Sequence, residues 1–171
     1  MGGVVLSGGE PCLNADLPAI IAEIKKLSLP VKLDTNGMFP AMLTKLFAKE
    51  ESRPDYIAMD LKLAPWRYQN LLPALLSSDN FNPAQALVQS AAIIRKSGIS
   101  HEFRSIALPI ITGEDIEALA SLAGDSPWHF RPFRGGSCMD PAWDNMEESA
   151  IEAGTRMESL TRAARNPGNK S

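Results

Sequence analysis

Val4-Val5-Leu6-Ser7-Gly8-Gly9-Glu10-Pro11 reads as a short buried strand that runs into a pair of glycines and a carboxylate. Glycine lets the backbone turn tightly and approach a small molecule closely. Glu10 then sets a negative charge at the carboxyl end of the strand, where open α/β sheets and barrels build their sites. A turn of this kind normally has chain in front of it, so a sequence that reaches it at Ser7 reads as starting almost inside its own site.

Outward from this turn, strand-like and helix-like segments alternate. Asp16 to Leu27 has the spacing of an amphipathic helix, with Leu17, Ile20, Ile21, Ile24 and Leu27 on one face, Asp16 as cap and Pro18 in the first turn. Val31 to Asp34 is the next strand, Phe39 to Ala48 a helix with Leu43, Leu46 and Phe47 inward, and Tyr56 to Lys62 the third strand. Leu63 to Phe81 is less regular and reads as a loop with a short helix. Asn82-Pro83 opens a helix, cap then proline, that ends near Arg95, Lys96 and Gly98. A strand from Glu102 to Leu108 follows, then a helix from Gly113 to Leu122 capped by Thr112 with Asp115 three residues on, then a strand from Trp128 to Phe133. Asp140-Pro141 opens a last helix to about Ala164, and the polar tail from Arg165 to Ser171 reads as disordered. Short connections between alternating strands and helices mean parallel pairing with right-handed crossovers. About five parallel strands fit either a partial (β/α) barrel or an open doubly wound sheet, as one domain over residues 1–164.

The bulk properties narrow the function. With 171 residues and 44% hydrophobic content the chain can build a real core. A net charge of −3 and an isoelectric point near 5.4 argue against nucleic acid or an anionic membrane as main partner. No apolar run approaches the roughly 18 residues needed to span a bilayer, and Met1-Gly2-Gly3 opens no signal peptide. Cys12 and Cys138 form neither a CxxC pair nor a metal-ligand spacing, so the chain reads as reduced and cytoplasmic. Cys12 reads as a small buried hydrophobe and Cys138 as inert. His101 and His129 read as packed or surface histidines, and Met38, Met42 and Met59 as core or pocket lining. A Ser-His-Asp order, a P-loop lysine, HExxH and the dinucleotide fingerprint are all missing.

Charges interrupt the strands in a pattern. Strands of a parallel sheet are buried on both faces and read apolar, yet Asp34 ends the second strand inside Asp34-Thr35-Asn36-Gly37, and Asp60 and Lys62 end the third. Residues two apart on a strand share a face, which sets Asp60 with Lys62, and Arg104 with Glu102 and Ile106. Each pair taken alone is an ordinary ion pair at a barrel rim, and Asn36-Gly37 alone is an ordinary turn. Taken together, Glu10, Asp34, Asp60, Lys62 and Arg104 gather three carboxylates and two cations around one mouth. An unpaired buried charge costs several kcal/mol, so these groups pair with one another or with a zwitterionic ligand. An ammonium would go to Glu10 and a carboxylate to Lys62, Arg104 or a bound cation, which describes the amino-acid end of methionine or S-adenosylmethionine.

Val5-Leu6-Ser7-Gly8-Gly9-Glu10-Pro11, Lys32-Leu33-Asp34-Thr35-Asn36-Gly37, Asp55-Tyr56-Ile57-Ala58-Met59-Asp60-Leu61-Lys62 and Glu102-Phe103-Arg104 occur in this order. Together, over residues 3 to 135, they resemble the radical S-adenosylmethionine (radical SAM) superfamily. Within it they look most like the activating enzymes of glycyl radical enzymes, the anaerobic ribonucleoside-triphosphate reductase activating group with the pyruvate formate-lyase activating enzymes as kin. The resemblance implies a partial (β/α)6 TIM-like barrel and a cofactor site in which Ser7, Gly8, Gly9 and Glu10 hold the methionyl ammonium. Asp34, Thr35 and Asn36 would lie beside the methionyl carboxylate, where a monovalent cation can sit between Asp34 and Asp60. Asp60 and Lys62 would complete the strand end, and Arg104 would reach the same ligand. Arg131 and Arg134 fall on the family's last strand, at places where glutamine and histidine are expected.

The resemblance further implies a 4Fe–4S cluster on a CxxxCxxC loop, reductive cleavage of S-adenosylmethionine to a 5′-deoxyadenosyl radical, a glycyl radical enzyme as partner and flavodoxin or ferredoxin as electron donor. The sequence given carries no CxxxCxxC. It therefore reads as the back part of the barrel, lacking its first βα unit, with no catalytic residue of its own, no metal ligand set and no turnover. Two other readings stand beside this one: a cluster-free barrel remnant that binds a metabolite or partner protein, and an aldolase-like barrel using Lys62 as a Schiff-base amine.

Overall fold

The computed structural model describes residues 2–68 and 81–134, together with 155, 158 and 159. The short helix expected between Leu63 and Phe81 lies partly, and the last helix and the polar tail almost wholly, outside the described residues. Five strands alternate with four helices: β1 (Val4–Leu6), α1 (Leu17–Lys26), β2 (Val31–Thr35), α2 (Pro40–Phe47), β3 (Tyr56–Asp60), α3 (Pro83–Lys96), β4 (Ser100–Ala107), α4 (Gly113–Ala123) and β5 (Trp128–Pro132). Single 3-10 turns stand at Pro11–Leu13, Glu50–Ser52 and Pro65–Arg67.

All four strand pairs are parallel and the sheet order is β1-β2-β3-β4-β5. This order chooses between the two architectures the sequence left open. A doubly wound sheet reverses direction at a switch point. Here every crossover steps one strand the same way, and right-handed crossovers then put every helix on one face. That is the plan of a (β/α) barrel wall, with one face covered by helices and the other turned to a hollow. Burial follows it. In β2 the pattern is strictly alternating, with Val31, Leu33 and Thr35 buried and Lys32 and Asp34 half-buried. Leu33, Ile57, Met59 and Phe103 are fully buried and form the core with Ile21, Leu43, Leu46, Leu87, Ile94, Ile116 and Leu119 from the helices.

The helix ends show what the local sequence specifies. Asn82 Oδ1 accepts from the Gln85 N–H at 3.0 Å with Pro83 behind it, and Thr112 and Asp115 form a reciprocal capping box on α4. Asp16, expected to cap α1, makes no side-chain cap bond. Its backbone is already helical, at φ −88° and ψ −1°, whereas a capping side chain needs an extended residue. The apolar face of α1 is also narrower than its periodicity suggests: Leu17 and Ile21 are buried, but Ile20 and Leu27 are exposed.

Strand limits shift slightly. β3 ends at Asp60 because the Lys62 N–H leaves the ladder and donates to Tyr68 Oη at 2.8 Å. β4 starts two residues early, at Ser100, which pairs with Tyr56.

Candidate cofactor site at the carboxyl edge of the sheet

β1 delivers Ser7-Gly8-Gly9 to the carboxyl edge. Gly8 and Gly9 have φ of 87° and 50°, the left-handed region that a side chain resists. A Cβ added to either would meet nothing within 4 Å. The backbone, not crowding, demands glycine, and the space beside the turn is open.

Glu10 is the knot of this edge. Its Oε1 accepts from the Cys12 N–H at 3.1 Å and from Thr35 Oγ1 at 2.7 Å, and its Oε2 accepts from the Asn36 N–H at 2.6 Å. The carboxylate thus caps the Pro11–Leu13 turn and ties the end of β1 to the end of β2. Thr35 Oγ1 also accepts from the Gly37 N–H at 3.1 Å, and Asn36 Oδ1 accepts from the Met38 N–H at 2.9 Å. Thr35 and Asn36 therefore build the turn that holds Glu10.

Arg104 is the second centre. Its side chain is 13% exposed; Nε donates to Asp60 Oδ1 at 3.0 Å, Nη2 lies 2.9 Å from the same oxygen, and Nη1 donates to Asp34 Oδ2 at 3.1 Å. Asp34 and Asp60 from strand ends and Arg104 from within β4 are brought together from three adjacent strands. Burial opposes the guanidinium charge, but the two carboxylates outweigh it and raise the Arg104 pKa. Two carboxylates share one guanidinium, so the trio carries a net negative charge. Asp34 Oδ1 is buried without a hydrogen-bond partner, its nearest cation being Lys32 Nζ at 3.7 Å.

Three placements differ from the simplest pairings. Glu102 does not pair with Arg104; it faces Lys32 Nζ at 3.5 Å and His129 Nε2 at 3.7 Å. Lys62 forms no ion pair with Asp60 or with any other described carboxylate, and the Arg104 trio closes without it. Glu10 is tied to Thr35, which projects from the helix-covered face, whereas Asp34 projects from the hollow one. Lys32 was not singled out from the sequence, and His129, read there as packed or surface, is exposed. The signal for Lys32 was there: it stands two residues before Asp34 and so shares its face.

Cys12 is buried, and burial with the Glu10 charge pushes its thiol up to about 12, so it is inert at neutral pH. A cleft of about 490 Å³ opens elsewhere, on the helix side, between Cys12, Met38, Phe39, Met42, Phe81 and Ala86. None of Glu10, Asp34, Asp60 or Arg104 lines it. No described helix is long and apolar enough to cross a membrane.

No family model matches the chain. A protein of Methanocaldococcus jannaschii named “Putative glycyl-radical enzyme activating enzyme” is 30% identical over 124 residues, which cover 71% of this chain and 50% of that protein. The crystal structure of a radical SAM methyltransferase from Sphaerobacter thermophilus shares the fold with a TM-score of 0.64, at 17% identity, over 96% of this chain and 49% of that one. The chain therefore spans about half the length of the curated relative it matches. The chain thus shares the fold of a radical SAM protein and is similar in sequence to a glycyl-radical enzyme activating protein, in keeping with the order of its motifs.

Full-length members of the superfamily use S-adenosylmethionine and a 4Fe–4S cluster. The residues of this chain do not fit the cluster. Iron–sulfur clusters of this kind are held by several thiolates, and the chain has only Cys12, which is buried, and Cys138, outside the described residues. Among the described residues no three His, Cys, Asp or Glu side chains gather as a metal site.

Proposed function

We propose that this chain holds the amino-acid end of S-adenosylmethionine at the carboxyl edge of its sheet, and that the protein it represents is a glycyl-radical enzyme activase. The observation that carries the reading is the Asp34–Arg104–Asp60 group, two carboxylates on one guanidinium, in which Asp34 Oδ1 is buried without a hydrogen-bond partner. An amino acid that also carries a sulfonium is a monocation at neutral pH, and such a ligand balances this edge.

The parts divide as follows. The ammonium goes to Glu10 and to the backbone beside Ser7, Gly8 and Gly9. The carboxylate lies toward Lys62 and Arg104, with room for a monovalent cation between it and Asp34 and Asp60. Thr35 and Asn36 serve the site by shaping the turn. A sulfonium nucleotide so bound supplies a 5′-deoxyadenosyl radical on reductive cleavage, the hydrogen acceptor for a backbone glycine of the partner enzyme. The cluster ligands and the electron, from a flavodoxin or ferredoxin, have to come from outside this chain, and we expect the chain alone to be inactive. A reduced cytoplasmic setting suits its free buried thiol.

The test is the full-length protein with its cluster reconstituted. It should release 5′-deoxyadenosine under reducing, oxygen-free conditions, and no release overturns the activase reading. A second reading, a cluster-free module that binds a metabolite or protein, is favoured by the mere pair of cysteines. A reading frame with no CxxxCxxC within about 60 codons upstream would decide for it.

A further inference from the structure

The way Glu10 is held says more about the site than its presence does. A carboxylate offers roughly four acceptor positions, two on each oxygen. Glu10 Oε1 already takes two donors, the Cys12 N–H and Thr35 Oγ1, while Oε2 takes one, the Asn36 N–H. Thr35 itself is 4% exposed, and its hydroxyl both donates to Glu10 and accepts from the Gly37 N–H. It is too enclosed to meet a ligand.

Resting on the reading of this edge as an ammonium site, we propose that Thr35 is a positioning residue that saturates Oε1 of Glu10, so that Glu10 presents one free acceptor position, on Oε2, to a primary ammonium. The consequence is selective. One remaining acceptor position, beside an amide N–H that already fills the other, accepts a single N–H of the ligand. The cationic group then approaches from the Asn36 side and not from the Cys12 side. Without the hydroxyl, Oε1 regains an acceptor position and the carboxylate is free to rotate about its last bond, so the ligand loses a preset partner.

The experiment is a titration of isotope-labelled chain with S-adenosylmethionine, followed at the backbone amides by NMR, which reads weak binding. Glu10→Gln should weaken binding about tenfold and Thr35→Val about fivefold, as expected for a charge-assisted hydrogen bond and for its orientation. Thr35→Ser, which keeps both hydroxyl bonds, should bind within about twofold of the wild type. In the Glu10→Gln background Thr35→Val should cost clearly less than in the wild type, because the part of its effect that runs through Glu10 is already gone while the Gly37 N–H bond is lost in both. An unaltered affinity for Thr35→Val, with Glu10→Gln weakened, overturns the positioning role and leaves the site reading intact. Equal losses in both backgrounds reduce Thr35 to a general structural part and also overturn the proposal. Should Thr35→Val fail to fold, the wild type decides: the Asn36 amide must shift with ligand more than the Cys12 amide, and the reverse refutes approach at Oε2. No saturable shift at Gly8, Gly9 or Asn36 overturns the ammonium site itself, and the positioning role with it.

Discussion

At the level of single residues, charge in a place that ought to be apolar was the readable sign. Asp34, Asp60 and Arg104 stand out in sequence because parallel strands rarely carry ionised groups, and they meet in space because Asp60 is in register with Arg104 and the guanidinium reaches on to Asp34. Which ion pairs with which was not readable. Glu102 finds Lys32 and His129 across strands rather than Arg104 along its own, since partners are set by strand register and not by sequence distance. The Arg104 group should also be costly to break. Arg104→Met leaves Asp34 with only the more distant Lys32 and takes from half-buried Asp60 the guanidinium it binds, and denaturant unfolding should show a loss of about 2 kcal/mol. Adding Asp34→Asn and Asp60→Asn should restore most of it, and failure to do so would mean that Arg104 stabilises by packing alone. Cys12 makes a pH prediction. Its folded pKa, raised from 9.0 to about 12 by burial first and Glu10 second, means that the unfolded chain loses the proton earlier than the folded one. Stability from this group is complete below about pH 9 and falls by roughly 1.4 kcal/mol per pH unit as pH rises toward 12. Cys12→Ala should flatten that part of the stability curve relative to the wild type, and an unchanged slope would refute the assignment.

At the level of elements, the sequence located strands and helices where hydrophobic period and capping agree, as at α3 and α4. It placed α1 correctly but overstated its apolar face and its cap, since Ile20 and Leu27 are exposed and Asp16 has a helical backbone. It also understated Asp115. In sequence this is the third residue of a capping box. In the fold it is 0% exposed and accepts from the Thr112 N–H at 2.8 Å, from Thr112 Oγ1 at 3.0 Å and from the Ala64 N–H at 2.8 Å, and it pairs with Arg67. One carboxylate thus starts α4 and clamps the segment after β3 onto the segment after β4. Because Asp115 and the Ala64 N–H left behind are buried while Arg67 is half-exposed, Asp115→Asn should cost about 2–3 kcal/mol, beyond the roughly 1 kcal/mol of an ordinary cap. Thermal unfolding of Asp115→Asn beside Asn82→Ala measures the difference, and equal losses would reduce Asp115 to a cap.

At the level of the whole molecule, the sheet has two edges among the described residues, β1 and β5. The β1 edge carries exposed Val5, and Leu13, Ile20 and Leu27 of the segment that follows it are exposed too. An open strand edge beside apolar side chains invites pairing with another chain. The isolated chain should self-associate as concentration rises in sedimentation experiments, and Val5→Lys should reduce this; a wild-type chain that stays monomeric throughout contradicts it. The sequence by itself determined the alternation of strand and helix, the parallel pairing and the order of the motifs, because periodicity, capping residues and motifs are local properties of the chain. Only the tertiary structure decided that the strands run in unbroken order, that every helix therefore lies on one face, and that Glu10 is held by Thr35 while Arg104 gathers Asp34 and Asp60. Strand order and ion pairing depend on which backbone edges meet and on how the charges left in the hollow can best be compensated, and no local stretch of sequence fixes either.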